Sequence, residues 1–459
     1  MSRTDLWFRS LLLPGGWADD VRLTVADGRV TSVTQGTAAG PQDERHEIGL
    51  AGLPNLHSHA FQRGMAGLTE RRGPQVDGSE DSFWTWREAM YRFVDRMDPD
   101  DVEAIAAQAF LEMLEGGFTR VGEFHYLHHA PNGAVYDDIG ELAVRIAAAA
   151  SATGIALTLL PVFYAHAGFG GQPAAPGQRR FVNDVDRYGR LIEASRRAVS
   201  SLPDAIVGVA PHSLRAATPE EIAAILPLAA DGPVHIHIAE QTKEVDDCLA
   251  WSGRRPVELL LDRLPVDGRW CLVHATHVTE AELDGMIARR AVAGLCPITE
   301  ANLGDGLFPA RRFLDRGGLF GVGSDSNVLI DAAEELRILE YGQRIALRAR
   351  NALASPAVPS TGRRLFDGAL SGGGQALGAA SGITAGAPAD LVSLKADDNV
   401  LVSRRHDQWL DAWVFAGGRA QVDCVWRAGR KLVVAGRHLQ REAIGRRYRQ
   451  TLARVLQEA

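Results

Sequence analysis

The sequence predicts an α/β protein: a (β/α)8 TIM-like barrel carrying a small β-sandwich domain built from both termini. Three observations predict it. Strand–loop–helix units recur through the middle of the chain, short alternating strands appear at both ends, and histidines and an aspartate stand at the ends of separate middle strands. The chain has 459 residues, more than one small domain needs, and a barrel absorbs roughly 250–400 of them. Apolar residues at 46% and charged residues at 23% are ordinary globular values, so a sizeable core can form.

The segment LTVADGRVTSVTQG alternates as two strands around the turn Asp27-Gly28. The same punctuation returns in ADLVSLKA and in QVDCVWRAGRKLVVAGR, with its turn at Ala428-Gly429. One small β domain from residues 1–50 and 386–440 accounts for both; two separate β appendages account for them too. Between them, residues 51–385 are assigned to the barrel, and residues 441–459 to a terminal helix. Asp98-Pro99 opens a helix with an N-cap residue and a proline in its first turn, and Gly116-Gly117 ends it before the strand TRVGEF. Thr218 with Glu221, and Thr279 with Glu282, are capping boxes before two further helices. An open doubly wound sheet also fits this alternation, although no glycine-rich phosphate fingerprint supports it. YAHAGFGGQPAAPGQRRF and SPAVPSTG are irregular segments, the second a surface connection.

Composition removes several function classes. A formal charge of −8 argues against a nucleic-acid surface, and the run from Arg437 to Arg454 reads as a solvated helix face. No stretch approaches the ~18–20 apolar residues of a membrane span. The opening MSRTDLWFRSLLLPGGW lacks a small-residue cleavage site, so no targeting segment is expected. Cys248, Cys271, Cys296 and Cys424 are scattered without CxxC pairing and read as buried thiols of a cytoplasmic protein.

The sharpest local signal is LPNLHSHAFQRG. Leu53 to Leu56 read as a buried strand, and His57 and His59 follow with one residue between them. In extended backbone such positions share a side, so both imidazoles can face one ion. VHIHIAEQ places His235, His237 and Glu240 at a strand end, CLVHATH places His274 and His277 at another, and LFGVGSDSN places Asp325 at a fourth. Barrel enzymes gather their chemistry at the C-terminal ends of the strands. Imidazoles and carboxylates are costly to bury without partners, so four such strand ends are hard to explain as packing. His125, His128 and His129, in the polar stretch after GEF, read as surface or substrate-rim residues.

This constellation resembles the amidohydrolase superfamily, over nearly the whole chain, and within it the mononuclear deaminases. The segments NLHSHAFQR, SFWTWRE, HAGFGGQPAAPGQRRF, PHSLRA, HIHIAEQ, PITEANLGDGLFP and EELRILEYGQR are similar to those of the formimidoylglutamate deiminases of histidine degradation. The resemblance implies one divalent ion, Zn2+, held by His57, His59, His237 and Asp325. Three imidazoles and a carboxylate suit zinc or iron, and such an ion lowers the pKa of water towards ~7. His235 shares a side with His237; the family pattern, counting back from the glutamate, selects His237. The resemblance further implies that Asp325 takes the water's proton, that His274 orients the nucleophile, and that Glu240 carries a proton to the departing nitrogen.

The implied substrate, N-formimino-L-glutamate, joins an amidine to two carboxylates, and the implied products are N-formyl-L-glutamate and ammonia. Arg87 and Arg215 are the candidate carboxylate forks. The resemblance adds Gln62, Tyr126 and His212 as substrate contacts, and Trp84 and Trp86 would wall the pocket. A homodimer and a small-molecule substrate are expected, with no nucleic-acid or membrane partner. Two other readings stand beside this one: hydrolysis of an aromatic ring such as guanine or a triazine at the same metal centre, and a catalytically silent metal-braced barrel. Asn327, after GSDS, departs from the histidine that related sequences carry, and sequence leaves its role open.

Overall fold

The computed structural model describes residues 3–70 and 82–457. The first two residues of the opening segment and the last two of the expected terminal helix lie outside them. Eight strand positions follow one another through the middle of the chain. They are β1 (Leu53–Ser58), β2 (Phe118–His125), β3 (Ala156–Phe163) and a split β4 (Ile206–Val207 and Ala210–Pro211). After them come β5 (Val234–Ile238), β6 (Trp270–His274), β7 (Val292–Leu295) and β8 (Leu319–Val322). Neighbours pair in parallel from β1 to β4 and from β5 to β8.

Two seams close the ring. Val209 bridges to Val234, and Ser58 bridges to Asp325. At the second seam His59 N donates to Asp325 O at 2.9 Å, and Asp325 N donates to His57 O at 3.0 Å. The open doubly wound alternative is thereby excluded. β1, β2 and β3 are buried along their whole length, as expected of parallel strands covered by side chains inside and helices outside.

The helices begin where their caps predict. Asp98 accepts from Asp101 N at 2.9 Å to open Pro99–Glu115, and Thr218 and Thr279 cap Pro219–Ile225 and Glu280–Ala288. The helix Thr361–Ala376 packs against β8 through its glycines: a Cβ at Gly372 would collide with the Phe320 carbonyl.

Both chain ends meet in one sheet. Leu391–Leu394 pairs antiparallel with Glu44–Ala51, joining the N-terminal strands to the C-terminal ones in a continuous eight-stranded path. The turns Asp27-Gly28 and Ala428-Gly429 both adopt positive φ, as tight hairpins require. A helix at Asp407–Ala416, which alternation did not signal, interrupts the C-terminal strands.

Two expectations need correction. The arginine-rich run is not simply a solvated face: Arg441, Arg447 and Arg454 pair with Glu115, Glu103 and Asp101 of helix Pro99–Glu115. Acidic residues of one helix facing basic residues of another dock the terminal helix Arg441–Gln457. The three histidines after GEF are buried rather than at a rim. His128 and His129 take their backbone partner from Arg180 O, and their Nε2 atoms face Val162 O and Val182 O at 2.9 Å. The irregular segment up to Phe181 folds over them.

Candidate active site

The ends of β1, β5, β6 and β8 bring six polar side chains together at the C-terminal mouth of the barrel. His57 Nε2 lies 3.2 Å from His59 Nε2 and 3.0 Å from His237 Nε2. Asp325 Oδ1 is 3.3 Å from His59 Nε2 and 3.7 Å from His57 Nε2. The outward nitrogens of two of these rings are already committed. His59 Nδ1 faces Phe124 O at 3.0 Å, and His237 Nδ1 faces His212 O at 3.2 Å. Each therefore carries its proton on Nδ1 and presents a lone pair on Nε2.

A single proton on His57 Nε2 satisfies one of its two short contacts, never both. Burial holds all three imidazoles neutral: His59 is depressed to about 3, and His57 and His237 lie well below the ordinary histidine range. Converging lone pairs with a carboxylate beside them are the donor set of a cation. His235 is excluded from it. Its Nε2 turns the other way, to Ala376 O at 2.6 Å.

Next to this centre His274 stands among three carboxylates. Its Nε2 is 3.6 Å from Glu240 Oε1 and 3.7 Å from Asp325 Oδ2, and its Nδ1 is 3.2 Å from Glu300 Oε1. Burial alone would neutralise the ring; Glu240, Glu300 and Asp325 overrule it and push its pKa up to about 10. Burial, reinforced by Glu240 and Glu300, raises Asp325 to about 7 against the pull of His274. Ala239, His274, Ala275 and Asp325 all have positive φ. These non-glycine residues hold a left-handed backbone where the strands hand over to the site.

The cleft above opens to solvent, with about 570 Å3 of free space in and over its mouth. Helix Phe83–Val94 supplies Trp86, Arg87 and Tyr91 to its wall, and the loops after β2, β3 and β4 supply Tyr126, Tyr164, His212 and Arg215. Trp86 lines the cleft as expected, while Trp84 lies behind it as a platform. The Arg87 guanidinium sits 4.5 Å from the Trp84 ring centre, and that of Arg215 sits 5.6 Å from it. Both arginines keep a buried Nε without a hydrogen bond. Arg215 is 3.9 Å from Glu240 and 4.0 Å from Glu244. Gln62 Nε2 donates to Tyr126 Oη at 2.8 Å, leaving Gln62 Oε1 unpartnered.

The eleven residues expected at metal, catalytic or substrate positions thus gather in or directly beneath one cleft. Asn327 does not reach it. Its amide donates to Ser58 Oγ, His59 O and Asp325 O, tying the loop after β8 to the end of β1. His277 also stays outside, facing Asp305 O at 2.8 Å. Sequence reasoning missed Glu244, Glu300 and Asp305. Burial, with Glu240 nearby, raises the pKa of Asp305 above the ordinary carboxylate range.

Comparison with known proteins agrees with this geometry. Residues 48–432 match the model of the amidohydrolase family, and residues 8–47 match the formimidoylglutamate deiminase HutF N-terminal domain. A formimidoylglutamate deiminase of Pseudomonas aeruginosa is 52% identical over 448 residues, 97% of this chain and 98% of that protein. The crystal structure of an amidohydrolase from Brucella melitensis matches with a TM-score of 0.95 and 54% identity, covering 99% of this chain and 100% of that one. An adenosine deaminase from Xanthomonas campestris, solved with bound zinc, matches with a TM-score of 0.78 over 99% and 98% of the two chains. At 22% identity it shares the fold alone.

Proposed function

The chain belongs to the amidohydrolase family, and on that premise we propose that it hydrolyses N-formimino-L-glutamate to N-formyl-L-glutamate and ammonia. One observation carries the reading: a cleft with a cation-type donor set at its floor has two guanidinium groups in its wall. An amidine at one end of a dicarboxylate matches that polarity. A flat aromatic ring would offer no carboxylate to these guanidinium groups.

His57, His59, His237 and Asp325 would hold the ion, one per chain. When bound, it supplies the Lewis acidity that lets water act as a nucleophile near neutrality. The remaining work belongs to side chains. The =NH nitrogen must gain two protons to leave as ammonia, and both come from the water. Asp325 takes the first proton from the attacking oxygen. Glu240, close to His274 and facing the cleft, carries protons to the nitrogen. His274, held charged by its carboxylates, donates through Nε2 and steadies the oxygen; it is a donor here and not the base. Arg87 and Arg215 clamp the carboxylates, while Gln62, Tyr126 and His212 line the passage between the two ends.

No helix among the described residues is long and apolar enough to cross a membrane. A cytoplasmic homodimer belongs to the same reading through its resemblance, and sedimentation of the purified protein tests it. The activity is tested by ammonia release from N-formimino-L-glutamate, guanine, adenosine and a triazine, with N-formyl-L-glutamate identified by mass. Turnover of the amidine alone is expected. Turnover of a ring substrate without it refutes the assignment.

A further inference from the structure

One buried carboxylate beside the reacting end, among those that keep His274 charged, does not itself line the cleft. Glu300 lies in the first turn of helix Pro297–Leu303, directly after β7. Its Oε1 accepts from Cys296 N at 2.9 Å, so a backbone donor fixes it in place. The same oxygen is 3.2 Å from His274 Nδ1. A carboxylate at that distance accepts a hydrogen bond from Nδ1–H, which fixes the rotation of the ring. Nε2 is then left facing Glu240 and Asp325. Flipping the ring would set carbon against Glu300 and lose the bond.

We propose that Glu300 is a positioning residue for the deimination, holding His274 by Nδ1–H so that Nε2 meets the attacking oxygen in one orientation. This rests on the deiminase reading above. The alternative role, a helix cap for Cys296 N, needs only a neutral acceptor. Glu300→Gln separates the two. Its amide oxygen still serves Cys296 N, while the charge that attracts Nδ1–H is gone.

In metal-loaded Glu300→Gln, kcat should fall roughly 10–100-fold, with KM and metal content unchanged. Wild-type kcat, or a loss confined to KM, overturns the proposal. A second measurement needs no variant that folds. In wild-type protein labelled with 15N at histidine, the His274 Nδ1–H bonded to Glu300 should give a low-field proton resonance. Its absence overturns the proposal. Failure of the wild type to release ammonia from N-formimino-L-glutamate counts against the assigned reaction instead, and the resonance still decides whether Glu300 holds His274.

Discussion

The floor and the wall of the cleft are built in different ways. Every floor group sits at the end of a barrel strand, where the backbone is pinned on both sides by neighbours, and its spacing follows from the pairing register. The wall comes from helix Phe83–Val94 and from loops, and its two arginines are placed by a tryptophan face and by carboxylates. Rigid strand ends suit groups that must hold a reacting centre to within fractions of an ångström; loops and a helix suit groups that choose among substrates. Changes at the floor should therefore act on turnover, and changes at the wall on substrate binding.

The largest effect should come from emptying the floor. Protein stripped with a chelator should be inactive, and one equivalent of Zn2+ per chain should restore it; full activity with no metal detectable by elemental analysis breaks the scheme. Next is Glu240→Gln, which should lower kcat by about 10^2–10^4-fold while leaving the metal content as it was. Unchanged turnover there would sink the proton-transfer role, and a silent metal-braced barrel would have to be reconsidered.

On the wall, Arg215→Met should raise KM by about 10–100-fold through the loss of a charge-assisted bond. It should also lower the melting temperature, because Glu244, fully buried, loses its nearest cation. A fall in kcat with no change in KM would blur the division between floor and wall. The smallest effect is expected from Tyr126→Phe. It removes the hydroxyl that accepts from Gln62 and keeps the ring, costing about 1 kcal/mol, or roughly fivefold in kcat/KM. A hundredfold loss would move Tyr126 from the lining into the chemistry.

The same division governs what could be read from the chain. His57 and His59 were legible because alternation puts both on one side, and His237, His274 and Asp325 because each closes an apolar run. Capped helices such as Pro99–Glu115 were legible for local reasons too. Glu300 and Glu244 were not, since an acid in a first helical turn has an ordinary explanation in the helix dipole. Only the packing of β6 beside β7 shows that Glu300 also meets His274. Asp305 was hidden for a similar reason, in a loop whose neighbours are set by closure. The three histidines after GEF were misplaced because a short polar cluster carries no sign of the segment that will cover it. Arg87 and Arg215 came from the demands of the implied substrate, and no periodicity marks them.

The rung between Ser58 and Asp325 has a mechanical consequence. Two residues proposed to hold the cation, His59 and Asp325, are joined by the backbone bond that stitches the last strand to the first. An ion gripping both side chains acts as a rivet across that joint. Loading should slow amide exchange at His59 and Asp325 more than elsewhere in the ring, and an empty protein should begin to unravel there.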